Sequence, residues 1–150
     1  MQNIMAQFDT VANSEQGAKL HFKLPSGELA YIDADKEKPV KPLTVSMLGS
    51  SSDKHKQYAV SEIRSIRAKA KKSRNKKESD DISDSFFADT ADALVKRLVA
   101  VVTSWENVLD DKGGLLECTP ANVKFVFDKY QSLRIQAIDF LDDDVNFIKS

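Results

Sequence analysis

Leu98-Val-Ala-Val-Val-Thr-Ser-Trp105-Glu-Asn-Val-Leu-Asp-Asp-Lys-Gly-Gly114-Leu-Leu-Glu-Cys-Thr119-Pro-Ala-Asn122 is the stretch whose reading decides the fold. Phe87, Ala91, Leu94, Leu98, Val102 and Trp105 recur at steps of 4, 3, 4, 4 and 3 residues, the period of one helical face, so the spacing predicts an apolar helix running to the only tryptophan. Gly113 and Gly114 then permit a tight reversal, a miniature hairpin turning at Asp110 to Gly114. Thr119 can cap a new helix, with Pro120 at its first position, where a missing N–H costs nothing. Val123, Val126, Phe127 and Tyr130 share one side of that helix. A last helix from about Ser132 repeats Leu133, Ala137, Ile138, Leu141, Val145 and Ile148. The expected structural core is therefore Leu94, Leu98, Val102, Trp105, Val126 and Phe127.

Upstream the period changes. Leu20, Phe22 and Leu24 alternate with Lys19, His21 and Lys23, as a half-buried strand requires. Pro25-Ser-Gly-Glu28 is a turn, and Leu29 to Asp33 can be the returning strand. Asp35 to Pro42, charged and twice interrupted by proline, is an exposed connector to a third strand, Leu43 to Leu48. Gly49-Ser-Ser-Ser-Asp53 supplies capping oxygens for a helix over about 53–72, whose Ala59, Ile63, Ile66 and Ala70 make a narrow seam. The expected architecture is α+β: a small N-terminal antiparallel sheet followed by a C-terminal helical bundle. Residues 1–17 read as a flexible arm and 18–150 as one domain, β-rich over 18–48 and mainly helical over 53–150.

With 150 residues, 41% of them hydrophobic and 30% charged, the chain can bury a core without disulfides or metals. No apolar run reaches the length that spans a bilayer, and the start lacks the basic and apolar regions of a signal peptide, so a cytoplasmic location is expected. One cysteine, Cys118, forms no internal disulfide and agrees with a reducing compartment. The net charge of −1 conceals segregation: ten Lys or Arg against Glu62 between Lys54 and Lys77, then six acids and no base from Glu78 to Asp92. The basic run can neutralise phosphates, which makes a small nucleic-acid-binding accessory protein using helix 54–77 the alternative reading. Its only aromatic neighbour is Tyr58, however, and single strands usually need several stacking platforms.

Catalytic chemistry is not signalled, and no enzyme, cofactor or metal is expected. His21 and His55 lie far apart in polar, basic stretches. Cys118 has no partner cysteine, and its place before a helix start would favour the thiolate. Asp142-Asp-Asp144 lacks the alternating ligand spacing of a calcium loop and reads as a solvated face. Gly113-Gly114 lacks the lysine of a phosphate cradle.

The order of these features resembles the tail assembly chaperones of long-tailed bacteriophages, the siphophage type encoded ahead of the tape measure protein. The resemblance covers Ala18 to Ile148: the Pro-Ser-Gly-Glu28 turn, the strand Leu43 to Leu48 leading through Gly49 to Asp53 into a basic helix, the apolar helix ending at Trp105, the Asp-Asp-Lys-Gly-Gly114 turn, the Thr119-Pro-Ala-Asn122 start and the closing Val145-Asn-Phe147. It implies a viral protein in the bacterial host cytoplasm, absent from the mature virion. Its partner would be the tape measure protein, kept soluble through protein–protein contacts, with the tail tube protein recruited in turn. Homo-oligomerisation is compatible with it; nucleic acid and membrane are not expected partners. It further implies that a longer product arises by frameshifting. The expected partner-binding residues are Ile63, Ile66, Arg64 and Arg67 on the basic helix and Leu133, Leu141 and Val145 on the last.

Overall fold

The alternating stretch beginning at Ala18 forms β1 (Ala18–His21), and Thr44–Met47 forms β2 against it, antiparallel, with Leu20 opposite Val45 and Lys19 opposite Ser46. The structure, a computed structural model, describes residues 4–73 and 82–148; the side chains of residues 7, 65, 66, 69–73 and 82–90 lie outside the described residues. The third strand comes from elsewhere than expected. Residues 29–33 form no strand, and β3 is Val102–Glu106, which completes the antiparallel order β1-β2-β3. Helix and strand thus share the stretch that periodicity assigns to helix alone. Val99, Val101, Val102 and Thr103 are β-branched, stiff about χ1 and at ease in a pleat, and Val45 offers Trp105 a cross-strand partner. A register shift at Ser46/Met47 leaves Thr103 unpaired, its hydroxyl donating to the Ser46 carbonyl at 3.3 Å.

The α+β class stands, but the sheet is not purely N-terminal: its last strand is delivered by the helical half. Two strands precede α2 (Asp53–Ser73) and α3 (Ile82–Val101), and β3 follows α3 without a break. One face of the sheet and α3, α4 (Pro120–Lys129) and α5 (Gln131–Asp142) enclose the core cluster. Val45, Met47, Val95, Leu98, Val101, Val123, Phe127 and Leu141 are buried in it. Of the expected core, Leu98, Val126 and Phe127 are buried, whereas Leu94, Val102 and Trp105 are half-buried and pack against the cluster.

Residues 22–43 keep a short form of the expected hairpin, with Lys23 bridged antiparallel to Leu29 and Leu24 N–H donating to the Glu28 carbonyl at 2.7 Å, and build it into a three-way junction. The Phe22 N–H donates to the Leu43 carbonyl (3.0 Å), Leu43 N–H to Ala30 (3.0 Å) and Ala30 N–H to Phe22 (2.9 Å), closing a ring of backbone hydrogen bonds. Phe22 and Ala30 are buried there, paired with each other as the hairpin requires and each also bonded to Leu43 from farther along the chain. The connector is necked off by buried Asp33, whose carboxylate accepts from Val40 N–H (2.9 Å) and Lys41 N–H (3.0 Å). Those bonds, the Val40 one foremost, hold its carboxyl below the ordinary range.

In the segment that reads as an arm, Asp9 caps α1 (Thr10–Gln16) by accepting from Ala12 N–H at 3.0 Å. Buried Ser14 is its anchor: its carbonyl accepts from Gly49 N–H (2.9 Å) and its hydroxyl from Ser51 N–H (3.1 Å). Gly49 has to be glycine, because a Cβ there would lie 2.4 Å from Ser14 Oγ. The predicted Asp110–Gly114 hairpin forms, with Asp110 N–H donating to Gly114 and Leu116 N–H to Val108, both at 2.8 Å. Trp105 Nε1 donates to the Leu116 carbonyl at 2.7 Å and so ties β3 to this hairpin. Thr119 caps α4 as expected, through Asn122 N–H at 3.2 Å.

Candidate functional site

Helix α2 starts where Ser52, fully buried, caps it through His55 N–H at 3.3 Å. Its inner face is set by polar contacts more than by apolar area. The Tyr58 hydroxyl donates to the Ala93 carbonyl of α3 at 2.8 Å. Arg97 of α3 donates from Nε to His55 Nε2 at 2.7 Å and pairs with Asp142 of α5 at 2.6 Å, its side chain only 17% exposed. An imidazole can accept that bond only when neutral. Burial, and then the Arg97 charge, hold His55 below its ordinary pKa against a smaller opposing pull from Asp142. His55 thus clasps α2 to α3, and His21 likewise bonds the Ala30 carbonyl at 2.8 Å, edge-on to Tyr31.

With His55, Tyr58 and Ala59 turned inward, the opposite side of α2 carries Lys56, Val60, Ile63, Arg64 and Arg67, all exposed, at helical steps. Val60 is 49% and Ile63 50% exposed, an aliphatic pair rimmed by cations. The structure therefore places Ile63, Arg64 and Arg67 on one accessible strip, and adds Val60 and Lys56, which sequence reading missed. The Ile66 side chain and the acids over 78–90 lie outside the described residues.

The last helix divides differently. Leu141 is fully buried in the core and offers no surface, which corrects its assignment to a partner-binding face: α5 turns it toward the cluster formed with α3 and α4. Leu133 is half-buried against the same core. Val145 is 69% exposed, on the 3-10 turn Asp144–Phe147, where Phe147 is the buried anchor. An amphipathic period shows which residues share a face, but does not show that the face is already covered.

No protein-family model, curated protein or solved structure matches the chain. Its chemistry must be read from its own side chains. Among the described residues no three His, Cys, Asp or Glu gather to hold a metal ion, and no helix is long and apolar enough to cross a membrane. Asp142 and Asp144 are occupied by Arg97 and by the Ser50 hydroxyl, while Asp143 accepts from Val145 N–H and caps the final turn. Cys118 is half-buried, and burial pushes its thiol pKa up, the opposite direction to the one expected from the nearby helix start.

A second surface feature lies between α3 and α4, an open trough of about 440 Å³ with Val95 and Val99 on one side and Pro120 and Ala121 on the other. Sequence reading could not pair these residues, because helices distant in sequence form it. The weak signal was the absence of a large side chain in the first turn of α4.

Proposed function

We propose that this chain is a tail assembly chaperone of the siphophage type, a non-enzymatic protein that binds the tape measure protein in the bacterial cytoplasm and keeps it soluble while tail tube subunits are recruited. The observation that carries the proposal is the strip on α2. A helix docked by its inner face alone leaves two half-exposed aliphatic residues between three cations, a surface suited to an amphipathic helix with acidic flanks. The layout from Ala18 to Ile148 supports the same reading through its resemblance to such chaperones. The nucleic-acid reading loses its one stacking candidate, since the Tyr58 hydroxyl is engaged with α3 and the ring packs edge-on to His55.

Co-expression with the tape measure protein encoded downstream tests the proposal. The tape measure protein should be recovered soluble with the wild-type chain, and mostly insoluble with the doubly substituted Val60→Ser, Ile63→Ser chain. Equal insolubility with and without the wild-type chain removes the chaperone reading. A salt-dependent shift of DNA or RNA mobility lost on neutralising Arg64 and Arg67 would instead favour the nucleic-acid alternative.

A further inference from the structure

The trough between α3 and α4 owes its existence to the first turn of α4. Thr119 caps the helix and Pro120 opens it, so its first residues, Pro120 and Ala121, carry little bulk, and Val123 is the first side chain of α4 to reach the core. None of the described residues covers the surface of α3 opposite that turn, and Val99 remains half-buried above the fully buried Val95. Asp92, Val95, Lys96 and Val99 stand at i, i+3, i+4 and i+7, one continuous face of α3 about 10 Å long at the rise of an α-helix. That is room for two aliphatic anchors one turn apart.

Two ammonium groups stand at the rim, Lys96 from α3 and Lys124 from α4, against one carboxylate, Asp92. Among the described residues, neither lysine takes part in an ion pair. An unsaturated positive rim over an apolar floor sets the chemistry of what fits. A free small molecule would leave much of its own surface wet in so open a trough, whereas a helix laid along it covers the floor with its anchors and its own backbone bonds stay satisfied.

We propose that the α3–α4 trough receives an amphipathic helix of a partner protein, whose aliphatic anchors occupy the Val95, Val99 and Ala121 floor and whose flanking Asp or Glu meet Lys96 and Lys124. The inference deepens the chaperone reading and rests on it for the partner's identity, adding a second, separate contact beside the α2 strip. The groove itself is tested without that partner.

A labelled peptide of about 18 residues, long enough to hold some helix, carries Leu at three- and four-residue steps with Glu between. Its binding to the full chain is followed by fluorescence anisotropy, beside a second peptide with Lys in place of every Glu. The acidic peptide should bind and the basic one should not. Ala121→Glu, which fills and charges the floor, and Lys124→Glu should each weaken binding about tenfold or more. Both positions are exposed, and circular dichroism checks that the helices persist; Lys124→Ala, a milder change, should weaken binding in the same direction. The basic peptide should gain binding to the Lys96→Glu, Lys124→Glu double variant. Acidic-peptide binding that survives Ala121→Glu, or no binding at all, overturns the groove. So does a self-association of the chain that Ala121→Glu abolishes, since the occupant would then be a second copy. The two readings fail separately. A tape measure protein solubilised equally by the Ala121→Glu chain removes the groove as its receptor and leaves the chaperone, whereas peptide binding by a chain that solubilises no tape measure protein does the reverse.

Discussion

Helices α2 and α3 have nearly the same length, 21 and 20 residues, yet they are held by opposite means. Helix α3 buries Val95, Leu98 and Val101 and is covered by α2, α4 and α5. Among the described residues helix α2 makes its main contact with α3, through a tyrosine hydroxyl and the His55–Arg97 bond, and its start is capped by Ser52. Burial is non-directional and strong in sum, while a few hydrogen bonds are directional and individually modest. A helix held in the second way can keep its opposite side free, which is what a binding helix needs.

That contrast is broken most severely at α3. Leu98→Ala removes a fully buried side chain and should cost about 2–5 kcal/mol, seen as a lower denaturation midpoint; a loss below about 1 kcal/mol would mean that α3 is not the core helix. Gly49→Ala comes next. Its Cβ would meet Ser14, so it should cost about 1–3 kcal/mol and loosen α1 together with the start of α2, visible as faster amide exchange there. Tyr58→Phe removes only the hydroxyl bond to Ala93 and should cost about 1 kcal/mol, with exchange rising in α2 and not in α4.

The smallest effect is on pH. The neutral His55 imidazole is favoured in the folded state, so its contribution is complete above the ordinary histidine value and declines as pH falls through the lower folded value. Melting temperatures taken from about pH 7.5 to about pH 5 should fall, and His55→Leu should flatten part of the slope. An unchanged slope in that variant would show that the clasp does not couple α2 to α3.

The same comparison explains what could be read from the sequence. Features specified within a few residues were legible: the Thr119-Pro120 cap, the Asp110–Gly114 hairpin, the helix over Asp53–Ser73 and the strand at Thr44–Met47. The helical stripe from Leu94 to Trp105 was legible only in part, since steps of three and four suit a helix while the β-branched run at Val101 to Thr103 suits a strand, and Val45 and Met47 decide between them from far away. Polar contacts decided the orientation of α2. A stripe of Ala59, Ile63, Ile66 and Ala70 marked an inner seam, but His55 and Tyr58 found their partners on α3 and turned Ile63 toward water. Leu141 and Val145 share an apolar repeat, yet one is enclosed and the other lies beyond the end of α5. The α3–α4 trough had no sequence signal stronger than two small residues behind a cap.

The delivery of β3 by α3 has a consequence for how the chain is made. Thr44 pairs with Glu106 and Val45 with Trp105, so the sheet stays a two-stranded ribbon until the ribosome has released both intervening helices. Such a ribbon is only marginally stable in water. During synthesis the N-terminal half therefore has no finished structure to wait in, and the closing of the core becomes a late event that depends on contacts far apart in sequence and is correspondingly slow.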